Sequence, residues 1–349
     1  MIALIKVLRL SLAALLAASF CVSTAYAQKW VQLAPFPDPS EEVYGIASGG
    51  KLYVFAGLAP AWTPKGLVYE YDPATDKWTK KKNMPLPSHH VAVTELNGKI
   101  YVMGGFVLPQ SGPPAWVPID NAWEYDPADD TWKALAPLLT KRGSPNAAAV
   151  NGKIYVIGGA GNFPGSKDTS IHPARPHRAV GTNEVYDPAT NTWETRSPMP
   201  TARNHAAVGA VNGKIYVIGG RLGNAFITRA SNTDVVEVYD PATDQWGPAM
   251  TRIPTPRSSL TWGTYKGKIY VAGGEFHDAR MLAAFRAVEV FDPATNSWSI
   301  LPPMEYPRHG AAGDIIGNRL HVVSGVVQAS SSGGHPEVDH HHALELDSK

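Results

Sequence analysis

The chain has 349 residues, with 31 Lys+Arg against 30 Asp+Glu, 44% hydrophobic and 17% charged residues. That balance excludes a disordered acidic or basic chain, which carries less apolar content and a larger net charge. It also argues against non-specific nucleic-acid binding, since no basic excess exists to release phosphate counterions.

Residues 1–27 read as a signal peptide. Lys6 and Arg9 form a basic start, Leu10 to Phe20 an apolar run, and Ala25-Tyr26-Ala27 an A-x-A cleavage site. The run is shorter than the ~20 residues a membrane helix needs, and no later stretch is apolar and long enough to span. Phe20 before Cys21 is a poor lipoprotein signal. The mature protein is expected to begin at Gln28 and to work in the periplasm or outside the cell. Cys21 is the sole cysteine and leaves with the leader, so the mature chain has no disulfide and no thiolate nucleophile.

Residues 28–349 are organised by internal repeats. Tyr71-Asp72-Pro73, Tyr125-Asp126-Pro127, Tyr186-Asp187-Pro188, Tyr239-Asp240-Pro241 and Phe291-Asp292-Pro293 recur at intervals of 54, 61, 53 and 52. Six residues after each Asp stands a tryptophan: Trp78, Trp132, Trp193, Trp246 and Trp298. Ahead of each lies an alternating run such as Lys153-Ile-Tyr-Val-Ile, closed by Gly158-Gly159, with weaker copies ending at Gly57 and Gly325. These runs read as half-buried strands. Asn97-Gly98, Asn151-Gly152 and Asn212-Gly213 read as two-residue hairpin turns, and Asp-Pro-Ala-Thr as a turn capped by Asp with φ preset by Pro. Each repeat is therefore four antiparallel strands, a to d, and a period near 50 with one Trp per unit predicts a propeller blade.

The doubled glycine and the Tyr…Trp pair are marks of kelch repeats, and the chain resembles that family over essentially its whole mature length. The resemblance implies an all-β, six-bladed kelch β-propeller in one domain, 28–349. Leu344-Glu345-Leu346-Asp347 matches a third strand whose tryptophan would fall beyond Lys349, while Trp30 is an orphan fourth strand. Trp30 is thus expected to complete the last blade, which would remove exposed edges.

Strand order puts the b–c loops (58–67, 106–121, 160–182, 221–234, 275–287 and 326–340) and the d–a links on one face, where binding residues would concentrate. Nine residues before each a–b turn stand Ser40, Ser88, Arg142, Arg203, Arg257 and Arg308. Seven before it stand Glu42, His90, Ser144, His205, Ser259 and Gly310. In an alternating strand both sets point toward the axis. Four arginines there would make a positive mouth suited to an anion, or would instead bond loop carbonyls. In some kelch proteins residues heading this strand line the partner pocket, which the resemblance carries to His90, Ser144, His205 and Ser259.

Eleven of twelve histidines fall on this face, the densest group being His335-Pro-Glu337-Val-Asp339-His340-His341-His342, with His172, His177 and His277 in other loops. No pair has a characteristic metal-ligand spacing, so a solvated loop is the expected role, with no metal and no cofactor. Trp62 and Trp116, in near-identical Pro/Ala contexts, either present aromatic faces to a ligand or plug their loops. No catalytic motif is found.

The function expected is a recognition module offering an Arg/His-rich mouth to a protein, peptide or glycan, as a monomer without nucleic acid. The alternative is a carbohydrate-active enzyme, since exported sialic acid mutarotases are also kelch propellers. Galactose oxidase-like chemistry is not expected, because its copper site needs a tyrosine cross-linked to cysteine.

Overall fold

Each blade begins with a small-residue strand and a tight turn. At the turns, Asn97-Gly98, Asn151-Gly152 and Asn212-Gly213 all have positive φ, between 51° and 78°, as two-residue hairpins require. The computed structural model describes residues 28–330 and 337–347; the expected signal peptide lies outside them. Among the described residues are six four-stranded antiparallel sheets, beginning with Glu41–Ser48, Lys51–Ala59, Thr63–Asp72 and Lys77–Lys80. The first strands of the six sheets touch one another in cyclic order, so the sheets close into a propeller. The sixth sheet is completed by Trp30–Gln32, which pairs antiparallel with His341–Glu345 in the register Trp30↔Leu344.

The repeated residues hold neighbouring blades together. Each blade tryptophan donates its Nε1 proton to a carbonyl of the adjacent blade's link: Trp30 to Pro302 at 3.0 Å, Trp132 to Lys82 at 3.1 Å, Trp193 to Ala136 at 2.8 Å, Trp246 to Ser197 at 2.9 Å. The Asp of each Asp-Pro turn caps a backbone N–H, as Asp187 does for Ala189 at 2.9 Å. The tyrosine before it bonds to the residue that ends the turn, Tyr186 to Asn191 at 2.8 Å. The second glycine of each pair donates to the next blade, Gly159 to the Arg203 carbonyl at 3.0 Å and Gly220 to that of Arg257 at 2.9 Å. Gly158 sits at φ 70°, and a Cβ there would come within 2.5 Å of the Arg203 oxygen, so the pair is required on two counts.

The loop face is more ordered than expected. The 58–67 segment is the continuation of two long strands joined by a short 3₁₀ turn, Pro60–Trp62. Other b–c loops carry small hairpins, Phe106–Val107 with Val117–Pro118 and Glu275–His277 with Leu282–Ala284.

The four arginines do not form a positive mouth. Arg142, Arg203, Arg257 and Arg308 are at most 1% exposed and turn into their own blades. Arg142 pairs with Glu184 at 2.8 Å and Arg257 with Glu289 at 2.6 Å, while Arg203 pairs with Glu237. Other N–H groups of these arginines donate to backbone carbonyls, such as Thr140 at 2.9 Å and Val156 at 3.0 Å for Arg142. Arg308 lacks the glutamate and bonds His340 O and His342 Nδ1, each at 2.9 Å. Removing one partner of such a pair strands a buried charge, at about 3–5 kcal/mol. Arg203→Ala should therefore destabilise about as much as the core truncation Trp246→Ala, measured by denaturant unfolding; an effect below about 1 kcal/mol would contradict the scaffold role.

Candidate functional site

The two sets of link residues part company because the strand does not alternate there. Glu42, His90, Ser144, His205, Ser259 and Gly310 all adopt left-handed φ between 51° and 58°. A reversed φ at this position swings the backbone, so residues two apart no longer share a face. The arginines go into the blades and the ring of six stays at the axis. Successive members are linked head to tail, Ser144 N–H to His90 O at 2.7 Å and Ser259 N–H to His205 O at 3.0 Å, and Val43, the residue after Glu42, donates its N–H to Gly310 O at 3.2 Å. Directly beneath the ring the channel narrows to about 30 Å³, room for a water or two, before it opens to about 280 Å³ between the same strands.

Above the ring lies a recess of about 200 Å³ lined by the charged and polar Glu41, Glu42, His90, Arg221, Glu275 and His309 and by the aromatic Trp62, Trp116 and Phe226. Arg221 knits the floor. It pairs with Glu275 and donates to Ser258 Oγ and Ser259 Oγ, each at 3.0 Å, and to His205 Nε2 at 3.1 Å. His309 Nε2 lies 3.2 Å from Glu41 and 3.6 Å from Glu275, and His90 Nε2 lies 3.3 Å from Glu42. Tyr44 donates to Glu42 at 3.1 Å.

These contacts set the charges. Burial pulls His309 down, yet Glu275, Glu41 and Glu42 around it lift it to about 9, so it is an imidazolium at neutral pH. Burial raises Glu41, which contact with His309 only partly offsets. Burial pushes Glu42 up as well, but His90, His309 and Arg221 outweigh it and hold the carboxyl well below the usual range. His205 is held neutral by burial and by the Arg221 charge. The floor thus combines an ionised carboxylate, a second carboxyl that burial raises, an imidazolium and a neutral imidazole within one recess.

Of the residues singled out from sequence, Glu42, His90 and His205 meet here, with Ser144 and Ser259 completing the ring. Trp116 is a plug: it is 4% exposed, its backbone pairs with Ile171, and its ring stacks on Phe226 at 4.1 Å. Trp62 sits edge-on to Trp116 at 5.8 Å, half-buried at the recess rim. Arg221, Glu275, Glu41, His309 and Phe226 were not singled out. A usable signal existed for two of them. The residue after each doubled glycine is Leu58, Phe106, Ala160 or Val326 in four blades, and Arg221 and Glu275 in two adjacent ones.

The histidine-rich segment is not a solvated loop where it is described; His335 lies outside the described residues. His341 and His342 belong to the third strand of the sixth blade. His341 packs edge-on to Tyr71 at 4.5 Å and lies 2.9 Å from His321. His177 clips its loop by accepting from the Ala225 N–H at 3.0 Å. Two groups at the recess have the composition of a metal site: Glu42, His90 and His205, and Glu41, Glu42 and His309, each offering donor atoms within 4.8 Å of one another.

The kelch motif matches residues 46–85, 87–139, 141–200, 202–249 and 256–305. The chain belongs to the kelch-repeat family. Among curated relatives, kelch-like protein terF of Aspergillus terreus is 27% identical over 283 residues, 78% of this kelch chain and 58% of its own. Kelch repeat and BTB domain-containing protein 12 of Homo sapiens is 32% identical over 188 residues, 51% of this chain and 29% of its own. The kelch chain spans less than two thirds of the length of these relatives. A solved structure entitled "Structure of YjhT" matches with a TM-score of 0.71 at 19% identity, over 88% of this chain and 95% of that one, a likeness of fold.

Burial holds His321 down at about 4 against an ordinary 6.5. Between those values the unfolded chain takes up a proton that the folded one refuses, so stability falls as pH drops from 6.5 to 4, by on the order of 2–3 kcal/mol. Urea unfolding at pH 7 and pH 4.5 reads this. His321→Gln should flatten the decline; an unchanged slope would remove His321 as its source.

Proposed function

We propose that this kelch propeller is an exported recognition protein that holds a small hydroxylated ligand of the glycan class in the loop-face recess. The observation that carries the reading is the mixed lining. Trp62 and Phe226 line the recess, and aromatic rings suit the apolar face of a sugar. Glu41, Glu275 and His309 line it as well and bring acceptors and a donor for hydroxyl groups. A narrow recess with a few convergent polar groups favours a small ligand over a broad peptide contact. Export rests on residues 1–27, and an anionic sugar is accommodated by the His309 imidazolium.

A second reading, a sugar isomerase of the mutarotase kind, is favoured by the Glu41–His309 pair. Anomer interconversion needs one group to protonate the ring oxygen and another to take the anomeric hydroxyl proton. His309, as an imidazolium, can give the first proton, and Glu41, in its ionised form 3.2 Å away, can take the second. Exported sialic acid mutarotases are also kelch propellers, which makes an acidic sugar the first substrate to try.

Saturation-transfer NMR of the purified protein against neutral and acidic monosaccharides tests the first reading. Trp62→Ala should weaken binding about tenfold, for a stacking contact near 1.4 kcal/mol. Binding of no sugar, or the same affinity in Trp62→Ala, would overturn it. Anomeric exchange measured in the same samples tests the second: exchange above the spontaneous rate, lost in Glu41→Gln, is expected of an isomerase, and an unaltered rate excludes one.

A further inference from the structure

Glu42, His90 and His205 occupy the same ring position in the first, second and fourth blades, and each is at most 5% exposed. One donor atom from each lies within 4.8 Å of the other two. Two imidazoles and a carboxylate form a donor set suited to zinc and its first-row neighbours rather than to calcium or magnesium. Ligand atoms around such an ion, at ~2.0–2.1 Å from it, stand roughly 3–3.5 Å apart. Glu42 and His90, at 3.3 Å, already meet that spacing, and a His205 donor lies within 4.8 Å of both.

A second observation is the set of groups behind these three. The Nδ1 of His205 lies 2.5 Å from Asn204 Oδ1. With that N–H given to Asn204, the lone pair is left on Nε2. The Nδ1 of His90 is 2.5 Å from Nδ1 of His89, itself fully buried. Tyr44 donates to the same Glu42 oxygen, Oε2, that faces His90. Each inward donor is thus oriented by an outer partner, the pattern that accompanies metal-ligating histidines and carboxylates.

We propose that Glu42, His90 and His205 bind one divalent first-row ion of the zinc type, with its open coordination position facing the recess. Arg221 is the local competitor, because its Nη1 donates to His205 Nε2 at 3.1 Å. The ion takes over that lone pair, and Arg221 retains Glu275, Ser258 and Ser259. Glu275, which lines the same recess, offsets part of the added positive charge. An ion there would present a Lewis acid to a ligand hydroxyl or carbonyl, so the inference deepens the small-ligand reading of the recess without depending on the ligand being a sugar.

The test is titration of chelator-stripped protein with Zn²⁺ and Co²⁺ by calorimetry and visible absorption, with no sugar present. The expected result is one ion per chain and a Co²⁺ spectrum of four- or five-coordinate intensity. Glu42→Gln and His205→Gln should each weaken binding about 100-fold or more, since outer partners alone are worth 10–100-fold. Asn204→Ala, which releases His205, should weaken it about tenfold. His340→Gln, in the separate histidine-rich segment, should leave it unchanged. No stoichiometric uptake by the native protein overturns the proposal, as does wild-type affinity in both Glu42→Gln and His205→Gln. If those variants fail to fold by circular dichroism, a faint six-coordinate Co²⁺ spectrum in the native protein overturns it by itself. Sugar binding measured with chelator present is a separate result, so either reading can fail alone.

Discussion

A ring of six left-handed residues at the axis sets the geometry of everything above it. Five of the six are not glycine, and each such residue costs on the order of 1 kcal/mol or more in backbone strain. Head-to-tail hydrogen bonds between successive links hold the ring in place. Because φ reverses there, the chain can send one side chain into the blade and leave a neighbour at the axis. The buried Arg–Glu pairs and the recess floor are two outcomes of the same turn of backbone.

The interfaces between blades repeat a small set of bonds. A tryptophan Nε1, a glycine N–H and a turn-ending Asp or Asn each reach the neighbouring blade. The link containing the arginine takes part twice, since its side chain fastens its own blade while its carbonyl accepts from the preceding one. Such double use explains why a link residue that looks suited to a ligand is committed to the scaffold. The recess is built instead from the ring positions and from the residues after the doubled glycines.

Blade number, strand order and the closing role of Trp30 were legible because each rests on a local pattern: alternation, Asn-Gly turns, and Tyr and Trp at fixed spacing. Glu42, His90 and His205 were legible as a set because the repeat aligns them. The arginines were misjudged because alternation was carried through a residue whose positive φ leaves little mark in sequence. Glu42, His90 and Ser144 are not residues that announce a left-handed turn as glycine does. His309 and Glu41 escaped notice because their pairing joins the sixth blade to the first, across 268 positions of sequence. The burial of His341 was hidden by its polar neighbours, which made a strand resemble a loop.

The seam between residues 30–32 and 341–345 bears on how the molecule comes into being. A ring whose first segment must pair with its last cannot close while the chain is still being made. Until residue 345 is available, the first strand lacks its partner and the sixth blade lacks an edge. Long-range pairing of this kind is slow to form. Closure of the circle therefore waits on both ends of the described chain, and whatever keeps residues 30–32 from the 341–345 strand keeps the sixth blade open.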